Sequence, residues 1–453
     1  MNLIRRGEIN VHEKTVKKES SLTEGTPGKV LLKFALPVIF SMIATQFYAL
    51  ADSMIVGKML GEQALAAVSN AANVMSFFLI ISGGMELGGS LLISGHYMNS
   101  SDEELQRDIW NLIITDLIIA IIVTVSGIYL TAPLLRITNT PQEIFDKAVL
   151  YGNVYLVGLP FLMEYDLMKE ILIGTGDSKT PMNLILLTSL VNIIADLIMV
   201  PIFGVAGAAW ATALSQLIGC ILTFMVLRKN ILHTNLRKEM MSTVCLKEIG
   251  RLAPPYMIQQ SSIILLSLFR QTLLGNVGIA AIAGFSASSR ITSLLFIPVA
   301  GLCQAFTVFI AQNSSVNKTD RITEGLKSAY LICAIYVIPV ALICILLRNR
   351  TMLLFADDAE TIMYGSIMLA AWPAAMILYI SEGIEEAVLR GYQKMVYYLI
   401  SSISTEVICI ISTVIMVKMA GFSGFWISNI IGYGAGAVIS LGLVRKIIFG
   451  QKE

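Results

Sequence analysis

The sequence predicts an all-α membrane protein: twelve transmembrane helices in two six-helix lobes related by a pseudo-two-fold axis along the membrane normal. Three observations lead there. The 453 residues are 56% hydrophobic and only 14% charged, with a mean hydropathy of +0.75, well above the level of a soluble domain. Apolar runs of about 20 residues, long enough to cross roughly 30 Å of hydrocarbon, occur twelve times along the chain. The second six runs repeat the first six at a nearly fixed offset.

In chain order, residues 1–29 are basic and polar with no apolar core, the pattern of a cytoplasmic tail and not of a cleaved signal peptide. Apolar runs near 30–57, 64–96, 108–135, 144–173, 180–202 and 205–228 make an N-lobe over 30–228. Residues 229–247, inside "RKNILHTNLRKEMMSTVCLKE", form a polar cytoplasmic linker. Runs near 248–275, 281–312, 323–347, 360–388, 395–418 and 421–446 make a C-lobe over 248–446, followed by a short cytoplasmic tail at 447–453. Twelve crossings put both termini on one side. That side carries 23 Lys and Arg residues and the other 6, so the termini are expected in the cytoplasm and the protein in the cell (inner) membrane.

The repeat runs at 217 or 218 residues. Pro37 matches Pro255, Gly57 matches Gly275, Ser69 matches Ser286 and Gly84 matches Gly301. Further along, "LIG" at 172–174 matches "LRG" at 389–391, and "GVAG" at 204–207 matches "GFSG" at 421–424. Only the fourth run drifts, to an offset of 213. Each half has an even number of crossings, so the halves sit the same way up, and such pairs enclose a cavity where they meet.

Against this apolar background a few polar residues stand out. Asp52 interrupts "QFYALADSMIVGKML", and a carboxylate at that depth costs about 2.5–3.5 kcal/mol, so it is expected to face a cavity and to have partners. The fifth run carries Asn192 and Asp196 at i and i+4, on one helix face. The sixth adds Thr212. Measured from the turns at Gly57 and Gly204 at 1.5 Å per residue, Asp52 lies about 8 Å deep and Asp196 and Thr212 about 12 Å deep. One level across three helices suggests an all-oxygen pocket for a hard cation such as Na⁺, or for a proton shared by two carboxylates. The equivalent positions of the second half read Arg270, Cys409, Thr413 and Asn429, so the charge is confined to one lobe and reversed in the other.

Thr45 and Tyr48 share the face of Asp52 and are expected to line a substrate cavity. Glu86, in "GGMELGGS", Arg270 and Glu382 are further cavity candidates: Glu86 as a proton carrier or a contact for a cation, Arg270 as an ion-pair partner or an attractor of anions. Arg290 reads as structural. Glu164, Asp166, Lys169 and Glu170 are spaced to pair with one another, as are Glu385 and Glu386 with Arg390 and Lys394. Pro37 reads as a proline in the first turn of a helix. The six cysteines show no CxxC spacing, and His12, His96 and His233 are too scattered for a metal site. The balance of 32 basic and 31 acidic residues gives no reason to expect nucleic acid.

"LPVIFSMIATQFYALADSMIVGKMLGEQALAAVS", its repeat copy "APPYMIQQSSIILLSLFRQTLLGNVGIAAIAGFSASSRI", and "ILIGTGDSKTPM", "NIIADLIMVPIFGVAGAAWATALSQ" and "GLCQAFTVFIAQN" together resemble the multidrug and toxic compound extrusion (MATE) transporters. The resemblance covers nearly the whole chain from about residue 30. It implies alternating access between two six-helix lobes, and export of organic, mostly cationic and amphiphilic compounds against Na⁺ or H⁺ entry, without a cofactor. It implies a cation site at Asp52, Asn192, Asp196 and Thr212, and a bend of the first helix at Pro37. Two departures stand out. The seventh helix carries Arg270 where some members of the family have an acid, and Glu86 replaces what is more often a small or apolar residue.

The expected function is therefore a secondary multidrug antiporter, a monomer in the lipid bilayer whose partners are small drugs or toxins and the coupling cation. A lipid or oligosaccharide flippase of the same superfamily is the alternative, and it would favour a more basic cavity than Arg270 and Arg290 provide. An enzyme is not expected: the chain has no His cluster, no nucleophile motif and no soluble catalytic domain.

Overall fold

The structure, a computed structural model, describes residues 22–237 and 240–449. Residues 1–21 of the basic tail, with His12, linker residues 238–239 and residues 450–453 lie outside them. The described residues form twelve α-helices and no strand. They are α1 (Pro27–Leu60), α2 (Glu62–His96), α3 (Asp102–Ile137), α4 (Gln142–Gly174), α5 (Lys179–Phe203) and α6 (Val205–Asn230), then α7 (Thr243–Gly275), α8 (Ile279–Ser315), α9 (Thr319–Met352), α10 (Ala359–Gly391), α11 (Met395–Ala420) and α12 (Ser423–Phe449). Ten of them are long and apolar enough to cross a membrane. In the other two, α4 and α7, charged or polar residues interrupt the apolar stretch, as in "MEYDLMKE" and "IQQSS", and both pack against neighbouring helices: α4 on α2, α3 and α6, and α7 on α2 and α11.

The helices overrun the apolar stretches because hydropathy marks only the part that lies in hydrocarbon. The longest has 37 residues, about 55 Å at 1.5 Å per residue, against roughly 30 Å of acyl core. Thus α3 begins at Asp102, six residues before the expected 108. Its start is a capping box: the Ser101 hydroxyl accepts from Glu104 N–H at 3.3 Å, and the Glu104 carboxylate accepts from Ser101 N–H at 3.1 Å. At the opposite side, the exposed Asp358 carboxylate caps α10 and is held below its usual pKa by the backbone N–H of Thr361.

The linker expected over 229–247 is also shorter, because α6 continues to Asn230 and α7 starts at Thr243. It is strapped to α3. The Gln106 side chain donates to Ile231 O and accepts from His233 N–H at 2.8 Å, while Asn111 donates to Met240 O at 2.7 Å and accepts from Ser242 N–H at 2.9 Å. His96 pairs with Asp108 at 2.7 Å, with Glu248 of α7 at 3.9 Å from its other ring nitrogen. Replacing Gln106 and Asn111 together by Ala should speed tryptic cleavage after Arg237 several-fold, since local opening becomes easier. An unchanged digestion rate would mean that the strap contributes nothing to order.

Packing follows the repeat. In the N-lobe α1 packs on α5, α2 on α4, α3 on α4, α4 on α6 and α5 on α6. The C-lobe reproduces each pair: α7 with α11, α8 with α10, α9 with α10, α10 with α12 and α11 with α12. The lobes meet through α2 on α7 and α8 on α1, themselves equivalent under the pseudo-two-fold. Glycines set the closeness of these two contacts. A Cβ on Gly84 would lie 2.4 Å from Met257 Cε, and one on its repeat partner Gly301 would lie 2.7 Å from Ile39 Cγ1 and 3.1 Å from Ile39 Cα.

Polar bridges between the lobes cluster on the side of the termini. Gln304 of α8 donates to Glu170 of α4 at 2.7 Å, Gln312 to Gly174 O at 2.7 Å, and Gln393, just after α10, to Leu91 O at 2.9 Å. These contacts seal that side of the cleft. On the same side Asn313 and Arg321 donate to Leu22 O and Lys318 to Thr23 O, which ties the start of the described chain to α8 and α9.

Pro37 is not in a first turn. Pro27 occupies that place, and Pro37 lies ten residues further, inside an uninterrupted α1. Its missing N–H leaves one backbone acceptor of the preceding turn without a donor, while Pro37 O accepts from Ser41 Oγ at 2.8 Å.

Candidate cation site and cleft cavities

The first group of residues lies where α1, α5 and α6 converge. Asp196 is wholly buried, Asn192 and Thr212 nearly so, and the carboxyls of Asp52 and Asp196 face each other within interaction range. With its nitrogen toward Asp196, the Asn192 amide donates to Asp196 Oδ2 at 2.9 Å and accepts from Thr212 N–H at 3.2 Å. The opposite orientation gives only a 3.4 Å contact to Thr212 Oγ1, so the first satisfies both ends of the amide. Thr212 Oγ1 donates to Ala208 O at 3.1 Å and lies within hydrogen-bond reach of the Tyr48 hydroxyl. Asp52 Oδ1 and Asp196 Oδ1 are buried without any hydrogen-bond partner.

Two carboxylates facing each other among apolar helices leave uncompensated negative charge. A proton or a hard cation on the two orphan oxygens supplies what is missing, and carboxylate, amide and hydroxyl oxygens are the donor types such a cation takes. Tyr48 and Tyr151 lie near both acids and Tyr155 near Asp52. Beside the pair, toward the termini, opens a cavity of about 200 Å³ lined by Thr45, Tyr48, Tyr155, Asp166, Lys169 and Asn192.

Glu86 does not join this group. It accepts from Ser82 Oγ at 2.9 Å and lines a separate cavity of about 430 Å³ at the base of the cleft, with Glu170 from its own lobe and Tyr256, Gln304, Glu386 and Arg390 from the other. Lys169 pairs with Asp166 at 2.5 Å and lies 4.5 Å from the centre of the Tyr165 ring. Arg270 lines a third cavity, of about 340 Å³, inside the C-lobe. Phe296 and Tyr379 belong to the walls of both the cleft-base and the C-lobe cavities, so the two adjoin.

Glu382 lies elsewhere than the cavity lining assigned to it. It is buried against α11 and accepts a short hydrogen bond from Thr405, and neither the cleft-base nor the C-lobe cavity has it in its wall. Glu386, one turn later, takes that position. Two further acids escaped the sequence reading. Asp116, in "LIITDLIIAII", faces Glu164 of α4; both are buried, and neither Asp116 oxygen nor Glu164 Oε1 has a partner. Glu406, in "STEVICII", faces Arg270. Each shows the signal that marked Asp52, a lone acid in an apolar run.

Two pseudo-symmetric bundles around a polar cleft, with charged residues at membrane depth, define a multi-pass membrane transporter. The MatE family model matches residues 37–198 and again 255–415, once in each lobe. The chain belongs to this family, and it is a transporter and not an enzyme. Among its relatives, the probable multidrug resistance protein YoeA of Bacillus subtilis is 25% identical over 389 residues, covering 82% of each chain. The multidrug resistance protein MdtK of Photorhabdus laumondii is 23% identical, covering 94% of this chain and 96% of its own. A solved structure described as the outward-facing conformation of a multidrug resistance MATE family transporter superposes with a TM-score of 0.86 at 24% identity, over 96% of this chain and 98% of that one. The likeness to it establishes a shared fold.

Proposed function

We propose that the protein is a multidrug antiporter that exports organic, mostly cationic amphiphiles against inward flow of Na⁺ or H⁺, and that Asp52, Asn192, Asp196 and Thr212 hold the coupling cation. The observation that carries this reading is the pair of facing carboxyls with orphaned oxygens, Asp52 and Asp196. The names of the multidrug resistance relatives support the export of drugs. The excess of Lys and Arg on the side of the termini supports a cytoplasmic location for both ends and the inner membrane as the site of action. The reading takes the monomer as the working unit, because each lobe completes its own packing within one chain.

In this scheme the sealed side faces the cytoplasm. A cation entering from the outside neutralises the acid pair and changes what α1 can pack against. Coupling requires that the cation bind one arrangement of the lobes more tightly than the other, because only differential affinity shifts an equilibrium. Thr45 and Tyr48 lie within two turns of Asp52 on α1, so movement of this helix would couple the cation site to the adjoining cavity. The test is ethidium efflux from energised cells making equal amounts of wild type and Asp52→Asn. Efflux is expected to be lost in the variant, and equal efflux from both would refute the assignment of Asp52.

A further inference from the structure

We propose that the C-lobe cavity is a binding site for planar aromatic compounds that carry an anionic group, with Arg270 as the anion receptor. The proposal goes beyond the export reading, whose compounds are mostly cationic, by adding an anionic class, and it rests on that reading only for the direction of transport. Arg270 stands in α7 at the position where the N-lobe has Asp52, and its side chain lines the cavity of about 340 Å³. Its Nε and Nη2 are buried and have no hydrogen-bond partner, and none of the ion pairs among the described residues involves it. Glu406 is near enough to act on its charge but takes neither of these two N–H groups, and the planar fork they form suits a carboxylate or phosphoryl group.

The rest of the wall combines aromatic rings with the hydroxyl residues Ser288, Ser289, Thr292 and Ser293 and with small or flexible apolar side chains. Phe285, Phe296, Trp372, Tyr379, Trp426 and Tyr433 surround the space. Phe296 meets Tyr379 edge-on at 4.6 Å, and Tyr379 meets Tyr433 at 4.9 Å, so these rings brace one another and present fixed faces and edges to a flat guest. Trp426 Nε1 and Asn429 Oδ1 are also buried without partners, and each is available to a polar substituent of the guest. Glu406 of α11 is the carboxylate that bears on Arg270. Its negative charge offsets the cost of burying the guanidinium in the empty site and competes with an incoming anion.

The cavity adjoins the cleft base through Phe296 and Tyr379, which gives a guest an entry path. Cation and anion sites are thereby divided between the lobes: carboxyls at the end of α1 remote from the termini, guanidinium at the corresponding place in α7. A compound bearing an anion is held away from the acid pair that the coupling cation needs.

The test uses two fluorescent probes of one shape, 9-anthracenecarboxylate and the neutral 9-anthracenecarboxamide, titrated into the full-length protein in lipid nanodiscs, with empty nanodiscs subtracted. The carboxylate is expected to bind about 10-fold or more tighter than the amide, the advantage a charge-assisted hydrogen bond confers. Arg270→Gln should bring the ratio to near one, and Arg270→Lys should keep part of it. Glu406→Gln, which leaves Arg270 in place, should raise it. Equal binding of the two probes by the wild type, or a ratio unmoved by Arg270→Gln, or one lowered by Glu406→Gln, overturns the proposal. Ion-driven ethidium export by a wild type without the preference would leave the antiport reading intact and remove this one alone.

Discussion

Asp196→Asn is expected to give a protein that inserts and folds normally, binds substrate, and yet moves it no faster than protein-free vesicles when an ion gradient is imposed. The substitution keeps the shape of the side chain and leaves an amide oxygen to accept from Asn192, whose nitrogen reaches Asp196 Oδ2 at 2.9 Å in the native protein. What it removes is charge. With one acid left, the site no longer demands a cation in one state and a different occupancy in the other, so the two half-reactions come apart. Stability should move the opposite way. A buried carboxylate costs about 2.5–3.5 kcal/mol on insertion scales, and here one oxygen of Asp196 has no partner, so the variant should melt no lower than wild type in the absence of coupling ion. Loss of transport together with a falling melting temperature would instead assign Asp196 a structural role.

The second large effect is expected at the junction of the lobes, where two repeat-equivalent glycines should respond differently to the same change. A Cβ on Gly84 meets only side-chain atoms of Met257, at 2.4 Å from Cε and 2.5 Å from Cγ. Methionine has three side-chain torsions with which to swing away. A Cβ on Gly301 meets Ile39 at Cγ1, at Cα (3.1 Å) and at the backbone nitrogen (3.3 Å), and backbone inside a helix cannot step aside without moving α1. Gly301→Ala should therefore cost about 1–3 kcal/mol of the packed state and depress transport severely, whereas Gly84→Ala should be nearly silent. Because α1 carries Asp52, displacement of Ile39 would reach the proposed cation site along the same helix. Thermal unfolding in detergent and efflux rates measure both effects, and equal responses at the two glycines would show that the junction yields evenly.

Much of this was legible from residue types alone. Twelve helices follow from apolar run length, and the two-fold packing follows from the register that pairs Gly84 with Gly301 and Pro37 with Pro255. The grouping of Asp52, Asn192, Asp196 and Thr212 was readable because depth below a turn fixes a residue's level along the membrane normal. What depth does not fix is the lateral neighbour. Asp116 and Glu164 meet through the contact of α3 with α4, and Glu406 comes to Arg270 through that of α11 with α7; neither contact can be counted from spacing. Glu382 shows the converse. Its depth suits a cavity, but its side chain turns to Thr405 and the close approach of Gly436 on α12. The helix start at Pro27 was not legible because Glu24, Gly25 and Thr26 before it and Gly28 and Lys29 after it lie outside the apolar stretch, while a first-turn place for Pro37 already disagreed with a run that begins at residue 30.

The measurement that bears most directly on the central claim is substrate uptake into proteoliposomes under a Na⁺ gradient and a pH gradient imposed one at a time, for wild type and for Asp52→Asn. At least one gradient is expected to drive accumulation by the wild type, with cation moving opposite to substrate, and the variant is expected to respond to neither. Drive by neither gradient in the wild type, or undiminished drive in Asp52→Asn, would contradict it.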